Sequence, residues 1–156
     1  MSTLLQLADI LTQRQLTIAT AESCTGGSLS SLLTSQSGSS NYFDRGSVTY
    51  SNQSKIDMLG VLKETLDEFG AVSEQTAEQM ASGVIAQAQT DISVSITGIA
   101  GPSGGSQAKP VGMVCFGFCL LGSCFTSTQQ FSGDRTQVIN ASVEFALTTL
   151  INELSS

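Results

Sequence analysis

The sequence predicts an α/β fold, with helices on both faces of a mixed sheet. Short strand-like runs such as LTIATA (residues 16–21) and ISVSIT (residues 92–97) alternate with segments of helical periodicity, and a hairpin pattern follows. Alternating strands and helices favour parallel pairing, whereas a hairpin requires an antiparallel pair. A chain of 156 residues fits one domain. We therefore expect residues 1–156 to form a single-domain, three-layer α/β/α sandwich with a mixed sheet.

The first third of the chain predicts two helices and two strands. Apolar residues recur at helical spacing over residues 4–11, so the first helix ends near Gln15. The strand that follows runs into a Gly-Gly pair, and a second helical pattern starts at Gly26. After a polar loop, SVTYS (residues 47–51) predicts a second strand, which leads into a turn before IDMLGV (residues 56–61).

The middle of the chain predicts a helix, a strand and a long loop. Ser73 is a candidate N-cap. The apolar residues that follow it share one helical face: Ala77, Met80, Ala81, Val84, Ile85 and Ala88. The strand at residues 92–97 leads into residues 98–112, where glycine, proline and serine exclude regular structure.

The last third predicts a hairpin and a closing helix. Residues 113–122 and 124–131 form antiparallel strands around a turn at Gly122 and Ser123. Asp134 then caps a helix. The core-facing residues of this helix are Ile139, Val143, Ala146, Leu150 and Leu154.

Composition excludes several classes of function. Six basic and 13 acidic residues give a net charge of −7, which argues against non-specific binding of nucleic acid or anionic membranes. The chain has no basic leader and no long apolar segment, so a soluble, cytoplasmic protein is expected. Histidine is absent, which excludes Ser-His and Cys-His pairs and metal sites with histidine ligands. A hydrolase built from this chain needs lysine, tyrosine, a carboxylate or water as its base.

The four cysteines are interpreted as buried thiols. Cys115, Cys119 and Cys124 lie in or beside an apolar, strand-like segment, whereas Cys24 lies in the first glycine-containing turn. None belongs to a Cys-x-x-Cys pair. For a cytosolic protein this pattern favours free thiols over disulfides or metal ligands.

The segment TAESCTGG (residues 20–27) contains the first candidate nucleophile. Ser23 lies in a strand-to-helix turn, where the free amides of Thr25, Gly26 and Gly27 can face an anion or an oxyanion. Ser23 is therefore either a nucleophile or binding hydroxyl, or merely the N-cap of the helix. Cys24 is a weaker candidate because no histidine is present to activate its thiol.

The segment after the second strand contains the candidate base. Tyr50, Asn52 and Lys55 lie close together there. A lysine removed from water has a lowered pKa and can deprotonate a serine. The alternative is that Lys55 is a solvated surface lysine.

The second glycine-rich loop supplies candidate ligand contacts. Thr97 ends its strand, and its hydroxyl either reaches the serine or substrate or caps the loop. The loop glycines that permit close backbone approach are Gly98, Gly101, Gly104 and Gly105. Their spacing matches neither a Walker motif nor a dinucleotide fingerprint. Lys109 is a candidate clamp for a phosphate or carboxylate, and Arg135 either binds an anion or is solvated.

Five ordered motifs resemble one known family. TAESCTGG, GSVTYSNQSKIDMLGV, GAVSEQTAEQMASG, SVSITGIAGPSGGSQAKPVGMV and FSGDR are similar to the stand-alone form of the C-terminal domain of CinA, the competence-damage-inducible protein family. The resemblance implies a nicotinamide-nucleotide amidase that converts nicotinamide mononucleotide to nicotinic acid mononucleotide and ammonia in pyridine-nucleotide salvage. It implies no metal and no other cofactor.

The resemblance also implies roles for individual residues. Ser23 would be the nucleophile and Lys55 the base, with the hydroxyls of Tyr50 and Thr97 ordering the proton network. The expected substrate-binding residues are Thr25, Gly26, Gly27, Asn52, Gly98, Gly101, Gly104, Gly105, Lys109 and Arg135. The competing interpretation is a catalytically inactive nucleotide-binding paralogue of the same family. Neither a nucleic-acid nor a membrane partner is expected, and an exposed apolar hairpin at residues 113–122 would favour a homodimer.

Overall fold

A computed structural model describes residues 2–156, and its centre is one five-stranded mixed sheet. The strands are β1 (Ile18–Glu22), β2 (Phe43–Val48), β3 (Ile92–Gly98), β4 (Met113–Leu120) and β5 (Ser123–Gln130). Their order across the sheet is β2-β1-β3-β4-β5. β1 pairs in parallel with β2 and β3, whereas β3–β4 and β4–β5 are antiparallel. The predicted mixed sheet is confirmed.

Six α-helices within residues 2–156 surround the sheet. They are α1 (Thr3–Arg14), α2 (Ser28–Leu33), α3 (Asn52–Leu59), α4 (Lys63–Phe69), α5 (Glu74–Ala88) and α6 (Arg135–Ser155), and a 3₁₀ turn covers Ser39–Asn41. Side chains cap four of these helices, and in each the cap accepts a hydrogen bond from the third amide after it: Ser2, Ser51, Ser73 and Asp134. The predicted caps at Ser73 and Asp134 are confirmed.

Two apolar clusters lie on opposite faces of the sheet. The larger cluster joins α1, α2 and α6 to one face, with Leu7, Leu29 and Leu147 fully buried. The smaller cluster joins α3, α4 and α5 to the other face. Successive residues of β1 contribute to different clusters, Ile18 to the larger and Ala19 to the smaller, as the pleat requires. The three predicted layers are therefore confirmed.

The second strand and the segment after it differ from the prediction. A strand was expected at residues 47–51, but β2 covers Phe43–Val48. Its residues are mostly exposed because β2 is an edge strand, so the sequence lacks the apolar run of a central strand. The expected turn before residue 56 is the first part of α3, which the Ser51 side chain caps.

The cysteine interpretation is wrong for one pair. Cys119 and Cys124 face each other across the two-residue turn of the β4–β5 hairpin, and they form a disulfide. Cys-x-x-Cys spacing does not reveal this pair, because antiparallel register brings residues five apart into contact. Cys24 and Cys115 are buried free thiols, as predicted.

The apolar hairpin is not an exposed surface. β4 lies between β3 and β5, and its residues from Val114 to Leu120 are buried. Helices cover both faces of β4, α5 on one side and α6 on the other, so this strand offers no exposed apolar surface that would favour a homodimer. No helix within residues 2–156 is long and apolar enough to cross a membrane.

Candidate active site

The predicted site motifs meet at one edge of the sheet. Because β1, β2 and β3 are parallel, their carboxyl ends lie side by side. Ser23 directly follows β1, Tyr50 lies just beyond β2, and Gly98 ends β3. A cavity of about 300 Å³ opens at this edge and is bordered by all three segments. Three polar loop segments that are far apart in the sequence therefore converge on one pocket.

Ser23 and Lys55 form a direct pair within this cavity. Lys55 Nζ donates to Ser23 Oγ at 3.0 Å. Lys55 is 1% exposed and Ser23 is 8% exposed, so water has little access to the pair. The alternative of a solvated surface lysine is therefore wrong. Lys55 lies on α3, shortly after β2 in the chain. The backbone of Ser23 is held by a hydrogen bond that its amide donates to Ile96 O at 2.9 Å.

Two main-chain carbonyls complete the surroundings of the amine. Lys55 Nζ donates to Thr49 O at 2.8 Å and to Tyr50 O at 3.3 Å. A neutral amine has two N–H groups for these carbonyls and one lone pair for the serine hydroxyl. A protonated amine can donate to all three oxygens. The carbonyls therefore hold Lys55 beside Ser23 in either protonation state.

Burial favours the neutral form of Lys55. It lowers the pKa of Lys55 below the ordinary lysine value, because the ammonium ion loses hydration. No carboxylate among residues 2–156 forms an ion pair with this amine, so that stabilisation of the charged form is missing. A lysine in this setting can accept the proton of a neighbouring hydroxyl.

Cys24 has the opposite electrostatic setting. Burial raises the pKa of its thiol to about 12. The thiol is therefore protonated at neutral pH, and a protonated thiol is a poor nucleophile. Of the two adjacent candidates in TAESCTGG, only Ser23 has a base within hydrogen-bonding distance among the described residues.

The hydroxyls of Thr97 and Tyr50 lie outside the direct Ser23–Lys55 contact. Thr97 borders the cavity, but its Oγ1 donates to Ala71 O at 2.8 Å. Ser93 and Ser95, on the same face of β3, donate in the same way to carbonyls of α5. Tyr50 contacts Lys55 through its carbonyl, while its phenol accepts a hydrogen bond from Arg135.

Arg135 borders the outer part of the cavity. Its Nη1 donates to Gly101 O at 2.8 Å, and its Nη2 donates to Tyr50 Oη at 3.0 Å. The first residue of α6 is thereby tied to the glycine-rich loop and to the segment that follows β2. Three of the glycines predicted to contact substrate, Gly98, Gly101 and Gly104, also border the cavity. Its apolar walls are formed by Ala71, Val72, Ile99 and Ala100.

Several predicted substrate contacts lie elsewhere. Lys109 Nζ donates to Phe69 O and borders a different depression, because residues 106–112 turn away from the cavity. Asn52 and Gly105 are exposed residues that do not border the cavity. Lys109 therefore does not border the Ser23 cavity in this structure.

The Gly-Gly turn also differs from its predicted role. Gly26 and Gly27 have φ values of +57° and +103°, which glycine adopts readily and which bend the chain into α2. They border a separate groove of about 640 Å³ between α2 and α6. The Gly26 amide donates to Ser23 O at 3.0 Å, so it is not free to face an anion. Thr25 Oγ1 donates to a neighbouring carboxylate, that of Glu22.

Glu22 is the residue at this site that the sequence argument missed. Its carboxylate accepts hydrogen bonds from Thr25, Leu29 and Ser30. A signal was present in the sequence, because Gly27 provides no side chain to cap α2. The amides at the start of α2 are therefore occupied from within the protein. No group of three potential metal ligands is found in residues 2–156.

The chain is similar to known proteins over most of its length. The CinA C-terminal domain family matches residues 2–154. An Escherichia coli K12 protein named nicotinamide-nucleotide amidohydrolase PncC is 49% identical over 146 residues, 93% of this chain and 88% of that protein. A CinA-like protein of Kosmotoga olearia is 49% identical over 141 residues, 90% of this chain. The chain spans 34% of the latter relative's length.

A solved structure shares the same fold. The crystal structure of competence or damage-inducible protein from Enterobacter asburiae matches with a TM-score of 0.94 at 43% sequence identity. The match covers 97% of this chain and 96% of that one. The mixed sheet and its surrounding helices are therefore common to both proteins.

Proposed function

The chain belongs to the CinA C-terminal domain family, and from this membership we propose that it is an amidohydrolase acting on nicotinamide mononucleotide. The products would be nicotinic acid mononucleotide and ammonia. Relatives named nicotinamide-nucleotide amidohydrolase, about half identical to this chain over most of its length, support the reaction class. The observation that carries the mechanism is the buried contact of 3.0 Å between Lys55 Nζ and Ser23 Oγ.

In the first half of the proposed reaction, Ser23 is acylated. Neutral Lys55 takes the hydroxyl proton as Ser23 Oγ attacks the carboxamide carbon, and the carbonyl π electrons move to oxygen. The tetrahedral intermediate then collapses and the C–N bond breaks. The leaving nitrogen takes the proton from Lys55 and departs as ammonia, which leaves a nicotinoyl ester on Ser23.

In the second half, water replaces the nitrogen. Lys55, neutral again, accepts a proton from a water molecule that attacks the ester carbonyl. The C–O bond to Ser23 breaks, Lys55 returns the proton to Ser23 Oγ, and the carboxylic acid product is released. The sum is one amide and one water converted to one acid and one ammonia. Each proton moves through the same amine.

The cavity suits a nucleotide with a small planar amide. Its apolar walls at Val72, Ile99 and Ala100 offer contact to an aromatic ring close to Ser23. Arg135 lies at the outer part, where its guanidinium can donate to a phosphate. Because the chain has a net charge of −7, an anionic substrate requires a local cation of this kind.

The test is ammonia release from nicotinamide mononucleotide by wild-type protein and two variants. Ser23→Ala removes the nucleophile, and Lys55→Met removes the base while retaining an unbranched side chain. We expect each to lower kcat by more than about a thousandfold. Lys63→Met is the matched control, because Lys63 is an exposed lysine that pairs with Asp67 on α4. Its activity should equal that of wild type.

The nucleotide-binding alternative makes a different prediction for the same samples. Wild-type protein that binds the nucleotide in a calorimeter but releases no ammonia would support a catalytically inactive paralogue. Full activity in Ser23→Ala would contradict the serine mechanism. Detection of a nicotinoyl adduct on Ser23 by mass spectrometry after rapid quenching would support the acyl-enzyme.

A further inference from the structure

The carboxylate of Glu22 is buried without a cationic partner. Glu22 is the last residue of β1, directly before Ser23, and it is fully buried. The ion pairs among residues 2–156 join Arg45 to Asp44 and Lys63 to Asp67, so Glu22 takes part in neither. A buried carboxylate is tolerated when hydrogen bonds replace its hydration. The donors that surround Glu22 therefore indicate what this side chain does.

Four hydrogen bonds surround the carboxylate, all from residues just after Ser23. Oε1 accepts from Thr25 Oγ1 at 2.6 Å and from the Leu29 amide at 2.9 Å. Oε2 accepts from the Ser30 amide at 2.8 Å and from Ser30 Oγ at 2.6 Å. Glu22 thus caps α2 from the preceding strand, since the N-cap residue Gly27 makes no side-chain cap bond. Glu22, directly before Ser23, therefore binds residues that follow Ser23 through hydrogen bonds to its carboxylate.

The partners of the carboxylate are themselves held in place. Ser30 Oγ lies 2.7 Å from Thr20 Oγ1 on β1. Gly46 on β2 packs over this contact, and a Cβ added there would lie 2.3 Å from Ser30 Oγ. These contacts hold α2 against β1 and β2 near the end of β1, directly before Ser23.

The main chain of Glu22 is connected to Lys55 by hydrogen bonds through Thr49. Glu22 O accepts a hydrogen bond from the Thr49 amide at 2.8 Å. Thr49 O in turn accepts from Lys55 Nζ at 2.8 Å. Glu22 therefore connects the serine turn through its side chain and the lysine through its backbone. Its side chain does not border the cavity, so it has no direct contact with a substrate there.

We propose that Glu22 is a positioning residue whose carboxylate fixes the turn at residues 23–27 and keeps Ser23 Oγ within reach of Lys55 Nζ. The inference rests on the proposed role of Ser23 as nucleophile. Loss of the carboxylate displaces the nucleophile and leaves the cavity walls unchanged. Its effect therefore falls on the chemical step, and substrate binding is retained.

The test uses Glu22→Gln and a fluorophosphonate probe. Glutamine has the same shape, but its amide nitrogen is a donor and would face another donor at Leu29 or Ser30. In the probe reaction Ser23 Oγ displaces fluoride from phosphorus while Lys55 takes the hydroxyl proton. We expect the labelling rate of Ser23, followed by intact mass, to fall at least about tenfold in Glu22→Gln. With nicotinamide mononucleotide, kcat should fall equally and KM should stay within about twofold.

Tyr42→Phe is the matched control for a general loss of helix stability. Tyr42 Oη donates to Leu33 O at 2.8 Å, at the opposite end of α2 from the turn. We expect this variant to have a lower thermal midpoint but the labelling rate of wild type. If it slows labelling as much as Glu22→Gln does, the positioning role is overturned. If Glu22→Gln does not fold, Thr25→Val gives a second test, because it removes one donor to Glu22 Oε1. An unchanged labelling rate in Thr25→Val also overturns the inference.

The probe separates this inference from the proposed function. Wild-type protein that is labelled at Ser23 without hydrolysing nicotinamide mononucleotide contradicts the substrate, and the labelling rates of the variants still decide the role of Glu22. Wild-type protein that is not labelled removes the nucleophile and overturns the inference with it. Equal labelling of wild type and Glu22→Gln overturns the inference alone.

Discussion

Replacing Lys55 with methionine should remove a pH dependence of folding stability. Lys55 is 1% exposed, and burial lowers its pKa below the lysine value of 10.5 because the ammonium ion loses hydration. In the unfolded chain the same amine is hydrated and has its ordinary pKa. Between the lowered pKa and 10.5 the unfolded chain therefore holds more protons than the folded protein.

The sign and size of the effect follow from this difference in bound protons. The free energy of unfolding of wild type should rise with pH across the window, by up to about 1.4 kcal/mol per pH unit. Below the lowered pKa both states are protonated and the contribution is constant. Because only the neutral amine accepts the Ser23 proton, kcat/KM should rise about tenfold per pH unit up to the same pKa.

Urea unfolding of wild type and Lys55→Met, measured from about pH 6 to about pH 10.5, tests the stability prediction across the whole window. The quantity to compare is the difference between the two unfolding free energies at each pH. Cys24, whose pKa burial raises to about 12, destabilises both proteins once the unfolded thiol ionises, and because burial is the largest cause in each, most of this contribution cancels in the difference. Parallel stability curves over this range would refute the conclusion that burial lowers the pKa of Lys55.

Three further predictions concern the cavity and the cysteines. Arg135→Met should raise KM for nicotinamide mononucleotide about tenfold or more and leave KM for the riboside, which lacks the phosphate, within about twofold; equal changes would contradict a phosphate contact. Iodoacetamide at about pH 8 should leave Cys24 unmodified in native protein, as peptide mass mapping would check. Thiol titration of denatured protein should find two thiols without reductant and four with it, since Cys119 and Cys124 are bonded.

The sequence was informative where local pattern and global fold agree. Helical periodicity located α1, α5 and α6, and the capping residues Ser73 and Asp134 marked the correct starts. The parallel strand ends brought Ser23 and Lys55 to the same edge, as expected for an α/β sheet. These features depend on short-range signals and on a topology that has few alternatives.

The failures have a common physical cause, which is contact between residues that local pattern does not relate. The Cys119–Cys124 pair depends on hairpin register. The position of the Lys109 side chain depends on the carbonyl that it reaches, which is that of Phe69. The role of Glu22 depends on donors spread over the following eight residues and on the turn that returns them to it.

A lysine base places a different demand on its neighbours than a histidine base does. Histidine needs a partner that selects its tautomer, commonly a carboxylate. A carboxylate beside Lys55 would instead stabilise the ammonium ion, raise its pKa and remove its capacity to accept a proton. Here the neighbours of Nζ are the neutral carbonyls of Thr49 and Tyr50. They orient the amine as a carboxylate would, but because they carry no net charge they stabilise the ammonium ion less and raise the pKa of Lys55 less.

The hydrogen bonds of Glu22 also help to keep Lys55 free of a carboxylate partner. Glu22 provides the carboxylate next in sequence to Ser23, and an ion pair between it and Lys55 would keep the amine protonated and unable to accept a proton. Its four donors, all in the turn and in α2, hold the carboxylate away from the amine. The network that positions the nucleophile therefore also keeps the base free of a salt bridge. Glu22→Gln should therefore lower the plateau of the pH–rate profile but leave nearly unshifted the limb that reports the pKa of Lys55. A large shift of that limb would show that Glu22 interacts with Lys55 directly.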